Sequence, residues 1–466
     1  MRPSRQSVIV GAVAVLALLL VAPGINASPE DTTADAVVGQ PDFTVNLPNQ
    51  GGAVSASTLQ EPRGLWADAS GRLWVADNAN NRVLMWTDAA SFTNGAAAAL
   101  VLGQADFTGN QVNRGNANPA ANTMSGPRSV VMDSAGRLYV ADSSNFRILR
   151  FDPPFSNGMN AVQVFGQAGS FTTANQAALN AATADNLGNP DGIGIDKQDN
   201  LFCTDRFLSR VVRYNTPATT DTTADLVIGQ PNFTSAGGNQ GATPAANTVD
   251  HCIACFIDAN GNLYVADEFN NRVLLFMAPL SNNMNASRVY GQPGFTTNGT
   301  NQGGISANSL NGPVGVSIDP ISGNLYIADA PNMRILEFTT PLTNSTASRV
   351  FGQGGDFTTN TVNKGGVSAD SIDDVAGVSL DASGNLYAGD RLNHRVLRYN
   401  VAPPSQPSTP TTPSDTTNAA PCGLCGGGTT AMMPLVLLGW CSFRRSRCRR
   451  RYYFRTGDSP VGPTRS

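Results

Sequence analysis

Histidine is almost absent from this chain: its 466 residues include two, His251 and His394, so no site made of three converging imidazoles can be assembled. Glutamate is nearly as scarce, occurring at Glu30, Glu61, Glu268 and Glu337, which leaves few long-reaching carboxylates for acid–base work or for a calcium ion. Of seven cysteines, only Cys203, Cys252 and Cys255 lie in the body of the chain, too few for a disulfide-built scaffold, and a chain of this length buries a core without one. Basic residues are sparse as well. Between Ser28 and Pro421 there are 20 Lys plus Arg against 33 Asp plus Glu, a balance of −13 that a basic C-terminal tail masks in the whole-chain value of −4. So acidic a body is a poor partner for nucleic acid, whose binding rests on neutralising phosphates, and none is expected among its partners.

Long apolar runs are also few, and they sit at the ends. Val8–Ala22 follows Arg2 and Arg5 and precedes the small-residue cleavage site Ile25-Asn26-Ala27. It falls short of the ~20 residues of a spanning helix, so residues 1–27 read as a secretory signal peptide, with a retained anchor as the rival reading. At the other end a Pro/Thr/Ser-rich linker (401–421) leads into residues 422–451: Cys422-Gly-Leu-Cys425, an apolar stretch from Ala431 to Phe443, and an arginine cluster ending at Arg451; a polar tail (452–466) follows. The linker stays solvated, the apolar stretch is barely long enough to enter a bilayer, and the arginines resist translocation. Residues 422–451 resemble the C-terminal sorting signals of Gram-negative-type bacteria, such as the MYXO-CTERM class, which implies recognition and processing of the tail; a plain C-terminal anchor is the other reading. The body is therefore expected outside the cytoplasm, at the cell surface or in the periplasm, touching membrane only through the C-terminal segment.

What the body has in abundance is repetition. The phrase Val38-Gly39-Gln40-Pro41-Asp42-Phe43 returns around Gly103-Gln104, Gly166-Gln167, Gly229-Gln230, Gly291-Gln292 and Gly352-Gln353, at intervals of 64, 63, 63, 62 and 61 residues. A second phrase, Pro62-Arg63-Gly64-Leu65 through Leu73-Trp74-Val75-Ala76-Asp77 and Asn81-Arg82-Val83-Leu84, also occurs six times. Its Asp77 recurs as Asp142, Asp205, Asp267, Asp329 and Asp390, and its Arg82 as Arg147, Arg210, Arg272, Arg334 and Arg395. Within a unit, short runs of Val, Leu, Ile and aromatics alternate with Gly, Asn, Asp and Ser, the pattern of strands joined by tight turns. In the first unit the strands are expected near 62–68, 72–77, 82–87 and 98–103. One such unit cannot bury both of its apolar faces; six arranged radially cover one another.

These phrases resemble the NHL repeat, a propeller-blade motif, over about 360 residues from Val37 to Tyr399. The resemblance implies an all-β, six-bladed β-propeller over residues 28–400, with four antiparallel strands per blade. Because the chain opens on a Gly-Gln strand and closes on the three-strand phrase, the strand around Val37 is expected to complete the last blade. The body is expected to be monomeric.

Anything repeated six times at one spacing is read as architecture: the recurring Asp caps turn amides and meets its Arg. Function is sought where the units differ. The long Asn/Gln/Gly-rich loops, for example Asn46–Leu59 and Ser235–Val249, should gather on one face around the channel, where they either bind a ligand or are polar decoration. At the channel mouth Arg63, Arg128, Asp191 and His251 are the candidate ligand-binding residues. In the fourth unit, His251-Cys252-Ile253-Ala254-Cys255 offers metal-ligating types, but regular alternation would place Cys252 and Cys255 on opposite faces, so no metal site is assigned. Cys203 and Cys255 are candidates for a disulfide. Related propellers include hydrolases and lactonases that bind calcium and a lyase that binds zinc. Here Glu61 is the one carboxylate considered for calcium, no cofactor is assigned, and no catalytic residue is named. The leading expectation is a module that binds a protein, peptide or glycan rather than an enzyme; a degenerate calcium-dependent hydrolase or lyase is the alternative.

Overall fold

The computed structural model describes residues 32–176 and 181–400. Over this span the chain forms six four-stranded antiparallel sheets arranged as the blades of a propeller. The first blade consists of Pro62–Ala67, Leu73–Asp77, Arg82–Trp86 and Leu100–Leu102, each within two residues of expectation. The inner strands of blades two to six are Pro127–Met132, Pro190–Ile195, Cys252–Ile257, Pro313–Ile318 and Val375–Leu380. The expected signal peptide (1–27), Glu30, the linker, the segment 422–451 and the polar tail lie outside the described residues. Among the described residues, no helix is long and apolar enough to cross a membrane.

The second and third strands of each blade are buried at nearly every position because both faces are covered. In blade one, Leu73 and Val75 pack with Tyr387 and Val396 of blade six, whereas Trp74 and Ala76 pack with Val130 and Val140 of blade two. Turns between inner and second strands are held by a carboxylate. Asp68 accepts from the amides of Ser70 and Arg72 at 2.9 and 3.0 Å, and the turn needs Gly71 at φ 77°.

The ring closes as the repeat order implied. Ala36–Val38 is the outer strand of blade six, with Ala36, Val37 and Val38 opposite Arg398, Leu397 and Val396. Val37 packs between blades five and six and Val38 between blades six and one, so this short strand seals two interfaces at once.

Each of the six inner strands carries a register shift near its start, for instance between Pro62 and Leu65 and between Cys252 and Ala254. Such bulges re-aim side chains. They correct the expectation of strict alternation: Cys252 and Cys255 belong to the same buried cluster rather than to opposite faces.

Candidate binding face and channel mouth

The recurring residues are engaged inside the blades. In blade four, Asp267 and Arg272 are completely buried and meet at 2.7 Å. Asp267 also accepts from the Asp250 amide at 2.6 Å and from the Asn270 side chain at 2.8 Å. Arg272 donates to the carbonyls of Ala245 and Thr248, at 3.1 and 2.9 Å, in the loop that enters its blade, and to the carbonyl of Phe295 in the loop that leaves it. The corresponding pairs of blades one, two, five and six are buried at 2.7 to 2.8 Å; that of blade three is longer, 3.3 Å. Reciprocal amide bonds between Asn239 and Asn270, at 3.0 and 2.8 Å, add a second clasp, and Gln230 donates from its strand end to the carbonyls of Ser209 and Gly237. The long loops are thus fastened to the blades through the repeated residues. This leaves the unrepeated ones to meet a ligand.

Six such residues, the second of each inner strand, stand at the mouth of the central channel, whose cavity of ≈ 70 Å3 continues past the following residues of the strands: Arg63, Arg128, Asp191, Ile253, Val314 and Ala376. Blades one to three therefore make a charged half and blades four to six an apolar half. Arg128 and Asp191 form an ion pair. Arg63 is different. Its Nε is buried without a partner, while the surrounding carboxylates are taken: Asp191 by Arg128, and Glu61 and Asp374 by Arg391. Burial, and then the neighbouring cations Arg128 and Arg391, pull its pKa down to about 10.

The residue just before the inner strand is left-handed in five blades: Glu61 (φ 53°), Gly126 (53°), His251 (54°), Gly312 (53°) and Asp374 (62°). Glycine takes this conformation freely, whereas a side chain there costs ~1 kcal/mol. Glu61, His251 and Asp374 are held there nonetheless, and all three stand on the rim of the mouth, the kind of place where local strain is retained for a purpose.

His251 does not enter the channel. Its ring stacks on Phe269, with centroids 4.1 Å apart, and meets Phe207 edge-on at 6.2 Å; Nδ1 lies 2.7 Å from Asp250 Oδ1. Phe207 and Phe269 are 40% and 51% exposed, and between them Arg206 pairs with Glu268 at 2.8 Å. Arg63, Arg128 and Asp191 thus share the channel mouth, and His251 belongs to an adjoining aromatic platform. Sequence reasoning missed Phe207, Phe269 and Arg391. A signal existed: Phe207 and Phe269 occupy the turn position held by Ala79, Ser144, Pro331 and Leu392 in the other units, and that position varies.

The fourth-unit cysteines are buried free thiols, as is Cys203. Cys203 and Cys255 pack in different clusters, on the two sides of blade three, so no disulfide joins them. Burial pushes the Cys255 thiol up to about 12, which keeps it protonated and inert as a ligand. The mouth does not fit calcium either. That ion wants six to eight oxygens, and the Glu61 carboxylate is held 3.0 Å from Arg391. Among the described residues, no three His, Cys, Asp or Glu side chains gather into a set able to hold a metal.

One rim carboxyl is out of balance. Burial, with the carboxylates of Asp390 and Asp374 next, raises the pKa of Asp373 to about 6. A folded-state pKa above the unfolded value means that ionisation weakens the fold; the penalty is complete above pH 6 and is relieved as pH falls toward 4. Asp373→Asn is expected to stabilise the protein by about 1 kcal/mol at pH 7, an amount discounted for partial exposure, and to have no effect at pH 4. Urea melts at the two pH values check this.

On the opposite face, a broader groove of ≈ 900 Å3 runs over blades three to five, lined by Ile195, Phe256, Tyr264, Ile318, Pro341 and Leu342 among others. Its acids are occupied. Asp196 and Asp258 accept from the amides of their own turns at 2.8 to 2.9 Å, and Lys197 is the basic residue of its lining.

No curated relative matches the chain by sequence. Among solved structures, it is similar to a streptogramin B lyase (11% identity, 77% of this chain and 95% of that one, TM-score 0.40). It is likewise similar to virginiamycin B lyase from Staphylococcus aureus (11%, 75% and 87%, 0.40) and to a structural-genomics protein from Bacteroides thetaiotaomicron (10%, 78% and 75%, 0.47). At these identities and scores no functional argument rests on them. The NHL-repeat family model matches residues 124–151, the entry into blade two and its first three strands. Blade two is thus an NHL repeat, and the other five units place the same Asp and Arg at the same positions of a closed six-bladed β-propeller.

Proposed function

We propose that the body is a binding module displayed outside the cytoplasm, whose loop face takes a protein, peptide or glycan. The observation that carries this reading is the platform of Phe207, His251 and Phe269 beside the channel mouth. Two large apolar rings stay exposed on a face whose loops are otherwise fastened by buried Arg and Asn side chains. Exposed aromatics on a rigid support lose little conformational freedom on binding and commonly dominate interfaces. The residues 1–27 support export, and the −13 charge of the body disfavours nucleic acid. The calcium-dependent hydrolase or lyase reading finds no support at the mouth, where Glu61 is already engaged.

Peptide and glycan arrays probed with the full chain test the reading. A ligand found there should bind the Phe207→Ala/Phe269→Ala variant about tenfold more weakly or worse, while the melting temperature stays within a few degrees because both rings are exposed. Undiminished binding by the double variant would move the site away from this platform.

A further inference from the structure

The channel mouth holds three arginines and three carboxylates, but the ion pairs leave Arg63 without an acid of its own. Three carboxylates face it, Asp191, Asp374 and Glu61, and each is paired with an arginine other than Arg63. A mostly buried guanidinium with an unpartnered Nε is costly to keep unless something supplies the missing acceptor. We infer that the channel mouth is a carboxylate-binding site, in which Arg63 takes the carboxylate and the wall of Ile253, Val314 and Ala376 takes a short apolar group attached to it.

The chemistry follows from what surrounds Arg63. Its planar fork matches the two oxygens of a carboxylate. Arg128 with Asp191 is neutral, and Arg391 shared between Asp374 and Glu61 leaves one negative charge, so a doubly charged anion meets repulsion that a singly charged one largely avoids. Opposite, Ile253, Val314 and Ala376 present aliphatic side chains to the channel, which suits the apolar part of the same molecule. The depth is limited from below. The third residue of each inner strand is small, and a Cβ at Gly64 or Gly192 would come within 2.5 Å of the carbonyls of Arg128 or Ile253. Neighbouring inner strands therefore approach closely below the mouth, and the narrow channel, ≈ 70 Å3, favours a short branched group over a bulky one. Such a carboxylate can be a free small acid or the terminus of a peptide laid over the loop face.

The inference rests on the loop-face reading, whose centre it fills, but its test uses different residues. Calorimetry of the full chain would compare 4-methylpentanoate with 4-methylpentanamide, acetate, inorganic phosphate and chloride, and a tripeptide ending in a free leucine with its C-terminal amide. The free carboxylates are expected to bind, with the amides and phosphate about tenfold weaker or worse. Arg63→Gln should lose a similar factor. Ile253→Ser should remove the preference for 4-methylpentanoate over acetate while leaving acetate bound. Tighter binding of the tripeptide acid than of 4-methylpentanoate identifies a chain terminus as the source, and the reverse identifies a free acid. Equal binding of acid and amide, equal binding of phosphate or chloride, or an unchanged affinity in a folded Arg63→Gln protein overturns the inference. Absence of carboxylate binding while array ligands still need Phe207 and Phe269 overturns it and leaves the loop-face reading standing.

Discussion

Deletion of residues 32–45 is expected to abolish cooperative unfolding of the propeller or to lower its melting temperature by more than about 10 °C. Val37 and Val38 are fully buried, and burial of each contributes ~1.5–3 kcal/mol. They serve two different blade interfaces, so both open together. The deletion also strips the third strand of blade six of its outer partner and removes the Phe43 carbonyl, which accepts from Arg395 at 2.6 Å. The sum, on the order of 5 kcal/mol or more, is comparable with the whole stability of an ordinary domain. Scanning calorimetry of the deleted and parent chains reads the effect. Coincident melting curves would mean that the ring holds without this strand.

The second large effect is expected from Arg272→Met, at about 3–5 kcal/mol. Arg272 and Asp267 are wholly excluded from solvent, and the arginine holds three loop carbonyls besides its acid. Burial already raises the Asp267 carboxyl, and Arg272 is the largest influence opposing this; methionine of similar length leaves the acid buried without a counter-charge. Arg72→Met is the contrasting substitution. It removes an ion pair of 2.6 Å whose arginine is 24% exposed, and it should cost ~1 kcal/mol or less. The double variant Asp267→Asn/Arg272→Met should lose less than the two single losses added together, since one network is being removed twice. Urea midpoints for the parent, Arg272→Met, Asp267→Asn, the double variant and Arg72→Met decide it; equal losses in Arg272→Met and Arg72→Met would show that the buried network has no special weight.

Both predictions touch features that could be read before any coordinates. The phase of the repeat, beginning on a Gly-Gln strand and ending on three others, implied that Ala36–Val38 completes blade six. Six copies of Asp and Arg five residues apart implied a structural pair. Strand positions followed from apolar runs and turn residues, because each blade is a local unit whose hydrogen bonds run between consecutive strands. The disulfide between Cys203 and Cys255 did not survive, nor did the placement of Cys252 and Cys255 on opposite faces. The first paired two core-like positions that lie on the two sides of blade three, and the second carried period-two alternation through a bulge, where one displaced residue changes which way the following side chains point.

The candidate site was legible in part. Arg63, Arg128 and Asp191 were found by comparing one register position across six units, and they do meet at the channel. Composition, repeat count and closing strand were therefore determined by sequence alone, since each depends on residues read in order within a repeat. What only the tertiary structure decided is pairing. Arg391 rather than Arg63 takes Glu61 and Asp374, His251 lies on Phe269 rather than in the channel, and two phenylalanines sixty-two residues apart frame one imidazole. Ring closure brings residues separated by hundreds of positions to one axis, and which acid reaches which base there depends on ångström-scale distances and left-handed backbone turns that no spacing along the chain encodes.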